Sequence, residues 1–374
     1  MEKSSRSLSG LIFLVCLLGG LPGVLFGEPD TSWQTPRTDY ELRFPHDHGS
    51  HPEFRIEWWY LTGHLFAGER RFGFQATFFR LGQRPEMPTD QPFESAHLYL
   101  AHMALSDPET GRFFHEERFN RQGWDADAEI GRLHVFNGNW SLTMQEDSEQ
   151  MSLVGSVESD VILGLNLNPT QPHVVFGEEG ISRKGPEGTA ASYYITFPRI
   201  EVSGQIRLDR EKLDVTGQAW MDHEISSSQL DRGQVGWDWA CFQFDDGREI
   251  MGYVLRQDDG TPSPYSKLVW ISRDNELTHL SLDRYTWHHE GKWLSSDTNA
   301  EYPISPRIEV WDPELGKQRE LKLIPILPNQ EIVGKGGGVS YWEGACDIVE
   351  DDEIVGKAFL EMTGYADNIA ERLQ

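Results

Sequence analysis

Cysteine is nearly absent from this chain, with three in 374 residues. One of them, Cys16, lies in the apolar opening segment, so only Cys241 and Cys346 remain for a folded body. Two cysteines in so long a chain are not a disulfide framework, and free buried thiols are their commoner state. Basic residues are also short: 33 Lys and Arg stand against 60 Asp and Glu, for a net charge of -27. That excess works against nucleic acid or an anionic membrane face, and reads first as a solvated acidic surface. Beyond residue 30 no apolar run approaches the length of a membrane helix. A mean hydropathy of -0.52 describes a chain that is soluble once its opening segment is removed. The Gly-x-Ser-x-Gly of a serine hydrolase is missing, and Gly336-Gly337-Gly338 is not followed by the Lys-Ser/Thr of a phosphate loop. Helical periodicity is weak everywhere except in the last residues, where Asp367 could cap a short turn running to Leu373.

Aromatic residues, by contrast, are plentiful, with thirteen Trp, and they repeat. Trp58, Gly68 and Gly73 recur as Trp237, Gly247 and Gly252, each displaced by 179 positions without a gap. Each copy reads as an aromatic strand, a glycine turn and a second aromatic strand. Other short apolar runs in the first half are Gly73 to Leu81, His97 to Leu105, Trp140 to Met144 and Met151 to Val157. Tyr193 to Phe197, Ile200 to Leu208 and Lys212 to Trp220 follow. In the second half they are Leu268 to Arg273, Leu280 to His288, Arg307 to Trp311 and Leu321 to Pro325. Many short strands with few helices predict an all-β protein of two tandem antiparallel barrels packed together, each able to wrap an apolar ligand. The polar, serine-rich stretch from Glu224 to Gly233 holds the boundary, giving a first unit over 37–225 and a second over 230–374. Residues 1–27 place Lys3 and Arg6 before the apolar Leu11 to Leu18 and a Gly-Pro break, the build of a secretory signal. The expected destination is therefore periplasmic or secreted.

The densest cluster of reactive residues is Trp220-Met221-Asp222-His223-Glu224, with Gly236-Trp237-Asp238-Trp239 close behind. Strand alternation puts Trp220 and Asp222 on one face and Met221 and His223 on the other. An Asp222 aimed into an aromatic cavity would be kept protonated by desolvation, as a general acid requires. Alternatively His223 carries the proton with Asp222 beside it, or both hold the junction by hydrogen bonds; Asp238, between two tryptophans, has the same choice of roles. Glu57-Trp58-Trp59-Tyr60 and Tyr341-Trp342-Glu343-Gly344 each set a carboxylate beside aromatics, either as core packing or as walls of a cavity for a hydrophobic small molecule. On the second reading Glu57, Trp58, Trp59, Tyr60, Trp220, Trp237, Trp239, Tyr341 and Glu343 line the ligand. The runs His46-Asp47-His48-Gly49-Ser50-His51 and His288-His289 lack the spaced partners of a metal site. No metal or cofactor is expected.

These blocks, with Glu361-Met362-Thr363-Gly364-Tyr365, resemble the signatures of the AttH-like proteins, over roughly residues 40 to 368. That family is grouped with carotenoid 1,2-hydratases and often labelled as predicted secreted hydrolases. The resemblance implies two lipocalin-like barrels, the Trp220 to Glu224 block closing the first and the Trp237 block opening the second. It also implies, at Asp222, the acid of an aromatic-x-Asp motif, although Trp220 stands where the hydratases usually have Tyr. Two functions follow as expectations. One is a hydratase-like or hydrolase-like enzyme acting on an isoprenoid or lipid-like molecule, with Asp222 as acid and His223 or Asp238 tuning it. The other is a carrier of such a ligand working with an ABC-type envelope transporter.

Overall fold

The computed structural model describes residues 32–83, 97–186, 190–335, 339–367 and 369. The secretory signal expected over 1–27, the Gly336 to Gly338 run and nearly all of the helical turn expected after Asp367 lie outside these residues.

Thirteen strands make the first sheet: β1 (Ile56–Ala67), β2 (Arg70–Gly82), β3 (His97–Asp107), β4 (Arg112–Arg121), β5 (Ala126–Ala128), β6 (His134–Asn137), β7 (Trp140–Met144), β8 (Met151–Val157), β9 (Val161–Pro169), β10 (Val174–Phe176), β11 (Ser182–Arg183), β12 (Ala191–Leu208) and β13 (Glu211–Ser228). Then follow β14 (Gln234–Phe244), β15 (Glu249–Gln257), β16 (Lys267–Ile271), β17 (Leu277–Leu280), β18 (Tyr285–His288), β19 (Lys292–Leu294), β20 (Glu301–Pro303), β21 (Arg307–Asp312), β22 (Lys317–Pro325), β23 (Glu331–Ile332), β24 (Tyr341–Glu350) and β25 (Glu353–Met362). All but β19 and β20, which pair with each other, join the second sheet. The only helical elements among the described residues are two single 3-10 turns, so no helix there is long and apolar enough to cross a membrane.

Both sheets solve the same problem in the same way. In the first, β1 lies between β2 and the last strand, β13; in the second, β14 lies between β15 and the last strand, β25. A sheet whose first and last strands pair has curled back on itself, and each is a nearly closed antiparallel barrel. The repeat read from the sequence thus marks the opening hairpin of each barrel. Gly68 and Gly247 turn those hairpins with φ of +63° and +86°, a backbone region that side chains with a Cβ disfavour. Gly73 has a different task from its counterpart Gly252: a Cβ on it would lie 2.6 Å from the Cβ of Ala345 in the second barrel. Its bareness lets the two sheets approach.

Two local expectations need correction. Tyr193 to Leu208 is one strand, not two; Pro198 cannot donate to the ladder, and the register shifts between Phe197 and Ile200 without ending it. The segment Leu280 to His288 is interrupted at Ser281 by a 3-10 turn, which separates β17 from β18. Ser226 to Ser228, in the stretch expected to hold the boundary, still belong to β13, with the Ser226 hydroxyl donating to the Ala191 carbonyl at 2.6 Å. The chain changes sheet between Ser228 and Gln234.

Side-chain alternation sorts the apolar residues into three layers. Trp59, Leu61, Phe72, Phe74 and Trp140 fill the first barrel, and Phe242, Trp270, Tyr302 and Trp342 fill the second. Tyr60, Tyr194, Trp220, Trp239, Tyr253 and Phe359 point the other way and pack one barrel against the other. Arg71 to Asp347 (2.8 Å), Arg199 to Glu249 (2.5 Å) and the His64 ring on the Ala358 carbonyl (3.0 Å) tie the barrels together with polar contacts. The barrels belong to one compact unit.

Candidate functional site

Because side chains fill the barrel interiors, the cavity that gathers the expected aromatic and acidic residues does not lie where a ligand-wrapping barrel would hold it. A cavity of about 210 Å³ opens between the barrels, walled by β1, β2, β3 and β13 on one side and β14, β15, β24 and β25 on the other. Alternation decides its lining. Trp58 and Tyr60 of β1 face it, as do Asp222 and Glu224 of β13, Trp237 and Trp239 of β14, Tyr341 and Glu343 of β24, and Glu361 of β25. Pairing register sets these residues side by side: Trp58 opposite Glu224, Tyr60 opposite Asp222, Glu343 opposite Glu361.

Asp222 is 2% exposed and accepts three hydrogen bonds, from the Tyr194 hydroxyl at 2.7 Å, from Trp220 Nε1 at 2.8 Å and from the Thr196 hydroxyl. Trp239 Nε1 donates in turn to the Tyr194 hydroxyl at 2.9 Å, so the second barrel buttresses the first barrel's acid. Burial drives the Asp222 carboxyl up and the donors pull it back, leaving it at about 7. Glu343 stands in the opposite condition. The phenols of Tyr60 and Tyr341 lie near, yet neither carboxylate oxygen has a hydrogen-bond partner of ordinary length. Burial, and then the charge of neighbouring Glu361, hold it protonated well above the usual carboxylate range. Glu361, which accepts from Trp237 Nε1 at 3.2 Å, is itself raised by burial to about 8.

Further polar groups frame the cavity. Lys184 is wholly buried and donates to Ser192 at 3.1 Å, to Glu224 and to Gln229; burial lowers its pKa against the pull of Glu224. A chain of hydrogen bonds reaches the Glu343 side from β4, with Glu117 bonded to His102 Nε2 at 3.1 Å and His102 Nδ1 to the Tyr341 hydroxyl at 2.7 Å.

Other residues expected at the site face elsewhere. Glu57, Trp59 and His223 point into the first barrel. There Glu57 holds Arg80 at 2.9 Å, His223 Nε2 at 3.0 Å and His51 Nδ1 at 3.0 Å, while Trp59 stacks on His223. Burial raises the Glu57 carboxyl, but Arg80 and the histidines outweigh it and hold the group well below its usual range. His223 therefore cannot tune Asp222 by contact, since the two lie on opposite faces of β13. Asp238 likewise turns into the second barrel, where it meets Arg256 at 2.5 Å and His289 Nε2 at 2.7 Å. His288 bonds a different carboxylate, Glu309, at 3.0 Å. Trp220 supports Asp222 from behind and does not touch the cavity. Sequence reasoning passed over Glu361, Glu224, Lys184, Tyr194, His102 and Glu117. Two of them left a signal: Glu361 as the only carboxylate of the Glu361 to Tyr365 block, and Glu224 by alternation on the face of Asp222.

Comparison with known proteins agrees with this architecture. Residues 35–365 match the profile of the AttH-like family. The crystal structure of an AttH from Nitrosomonas europaea is 34% identical, with a TM-score of 0.80 over 89% of this chain and 100% of that one. The structure of kievitone hydratase from Nectria haematococca, 14% identical, shares the fold with a TM-score of 0.65 over 89% of this chain and 96% of its own. Ceramide-binding proteins of Aspergillus fumigatus and Emericella nidulans are each 23% identical, over 49% and 50% of this chain. Those matches span less than half of either fungal protein, 46% and 48%. With the family profile matched over nearly its whole length and two barrels in tandem, this chain belongs to the AttH-like family.

Proposed function

We propose that this protein takes a hydrophobic, isoprenoid- or lipid-like molecule into the cavity between its barrels and adds water across a carbon-carbon double bond. The observation that carries this reading is a pair of carboxyls in one apolar cavity with opposed surroundings: Glu343 meets no hydrogen-bond donor of ordinary length, and Asp222 meets three. Environments that separate two such groups assign them as acid and base. Neutral Glu343 gives its proton to one alkene carbon. The faces of Trp58, Tyr60, Trp237 and Trp239 stabilise the positive charge left on the other. Water attacks that carbon and passes its proton to Asp222, so alkene and water leave as an alcohol. The hydrogen-bonded chain of Glu117, His102 and Tyr341 offers Glu343 a route to regain its proton.

A carrier reading is favoured by one finding, the ceramide-binding names of the two fungal relatives. In that case the same cavity shelters a ligand and leaves it unchanged, and the exported chain hands it to an ABC-type envelope transporter. Mass spectrometry of molecules that copurify with the protein, followed by incubation of each in H2-18O, separates the readings. Hydration yields product carrying one labelled hydroxyl, and Glu343→Gln or Asp222→Asn lowers its formation by roughly 100-fold or more while ligand retention persists. A copurified alkene returned unlabelled by the wild-type protein would leave the carrier alone standing.

A further inference from the structure

A cluster remote from the cavity has the composition of a metal site. One ligating atom each of His48, Glu149 and His173 lies within 4.8 Å of the other two. The three residues come from separate segments: the arm before β1, the turn between β7 and β8, and the loop between β9 and β10. His173 Nδ1 is already 3.1 Å from a Glu149 oxygen, about the separation of two ligands on one small ion. His48 provides the independent sign. It is 1% exposed, yet its Nε2 has no hydrogen-bond partner, a condition that is costly unless something ligates the nitrogen.

The surroundings fix these groups while keeping them reachable. Phe44 packs on the His48 ring at 4.6 Å and on the His173 ring at 4.0 Å, and Phe197 backs both at 5.2 and 5.5 Å. The Glu149 and His173 side chains are 43% and 18% exposed, which gives a cation an entrance from solvent. The second histidine and carboxylate cluster, His51 with Glu57 and His223, is a poorer host. There the buried Arg80 guanidinium already sits on Glu57 at 2.9 Å and repels a cation.

We propose that His48, Glu149 and His173 bind one divalent transition-metal ion of the zinc type, with water completing its coordination, and that the ion clamps the arm before β1 onto the first barrel. Two imidazoles and a carboxylate suit zinc and its neighbours and not calcium or magnesium, which prefer oxygen. The site is independent of the cavity and its chemistry.

The test is calorimetric titration of EDTA-treated, desalted protein with Zn2+, and with Co2+ read by its visible absorption. One ion per chain is expected, together with a rise in melting temperature on adding Zn2+. Glu149→Gln changes a side chain largely open to solvent and should leave the metal-free melting temperature unchanged, whereas His173→Ala removes a ring packed on Phe44 and Phe197 and should lower it, so its binding is measured at a temperature where the metal-free variant is folded. Each should weaken binding by at least about 10-fold, the smaller loss seen when even a supporting partner of a ligand is removed. His46→Ala removes the exposed histidine of the same arm and should bind as wild type. The proposal is overturned if the wild type takes up no stoichiometric ion, if His173→Ala binds as tightly as wild type, or if His46→Ala abolishes uptake.

Discussion

Replacing Glu361 by Gln should make the protein more stable, and only above mildly acidic pH. In the folded chain the Glu361 carboxyl is pushed from its ordinary 4.5 up to about 8, first by burial, with nearby Glu224 and Asp222 adding to the effect. Unfolded, the same group ionises near 4.5. A carboxyl whose folded value is the higher contributes fully below the unfolded value, and that contribution is lost as pH rises through the folded one. At about 1.4 kcal/mol for each tenfold change in proton affinity, the burden at pH 7 is on the order of 3 kcal/mol. Glutamine keeps an oxygen for the Trp237 indole and carries no charge to bury, so the substitution removes most of that burden. It also relieves Glu343, which the charge of Glu361 raises. Urea unfolding of wild type and variant at about pH 4, 7 and 9 should show curves that coincide at the first and diverge progressively at the others. A variant less stable at pH 9, or a gain as large at pH 4 as at pH 9, would refute the claim that the cavity holds these carboxyls neutral.

Other outcomes follow from the buried polar groups. Arg80→Met should lower stability by about 3 to 5 kcal/mol, the loss typical of stranding one partner of a buried ion pair, measurable as a shifted urea midpoint. Because the Glu57 carboxyl is held below its ordinary value, the stability it lends is present above the unfolded value and fades as pH falls through the folded one. Wild type should therefore outlast Arg80→Met as the medium is acidified toward that ordinary value. Cys241 and Cys346 are buried and unbridged, with burial raising both thiols. A disulfide-exchange reagent should label neither until the protein unfolds, and reductant should not move the melting temperature.

The barrels were legible because alternation and turn chemistry are local. Trp140 to Met144 and Met151 to Val157 appear with the bounds their apolar pattern predicts, and the 179-residue repeat locates both opening hairpins. Alternation also separated Asp222 from His223, and applied to β1 it would have separated Trp58 and Tyr60 from Glu57 and Trp59. What it cannot say is which face meets a second barrel, since both faces of β1 are buried and both carry aromatics. The cavity is therefore a product of docking, invisible in either half alone. Glu343 and Glu361 are a different case: both lie in the second barrel, and two carboxylates eighteen positions apart become neighbours once the β24–β25 hairpin sets its register. The spaced partners that the His46 to His51 run lacks in sequence come from loops more than a hundred residues downstream.

The pairing of first strand with last has a consequence for how the chain is made. During synthesis β1 leaves the ribosome long before β13, its neighbour at Ile56 opposite Ser226, exists. Through that interval β1 can pair only with β2, and its other edge stays open to any extended segment it meets. Contacts so distant in sequence form slowly, since a long loop must close before they reward it. The strand that finally covers that edge is also the one that carries Asp222 and Glu224. A polypeptide interrupted short of β13 thus lacks both its seal and every carboxylate of the cavity, and its exposed edge makes it prone to association.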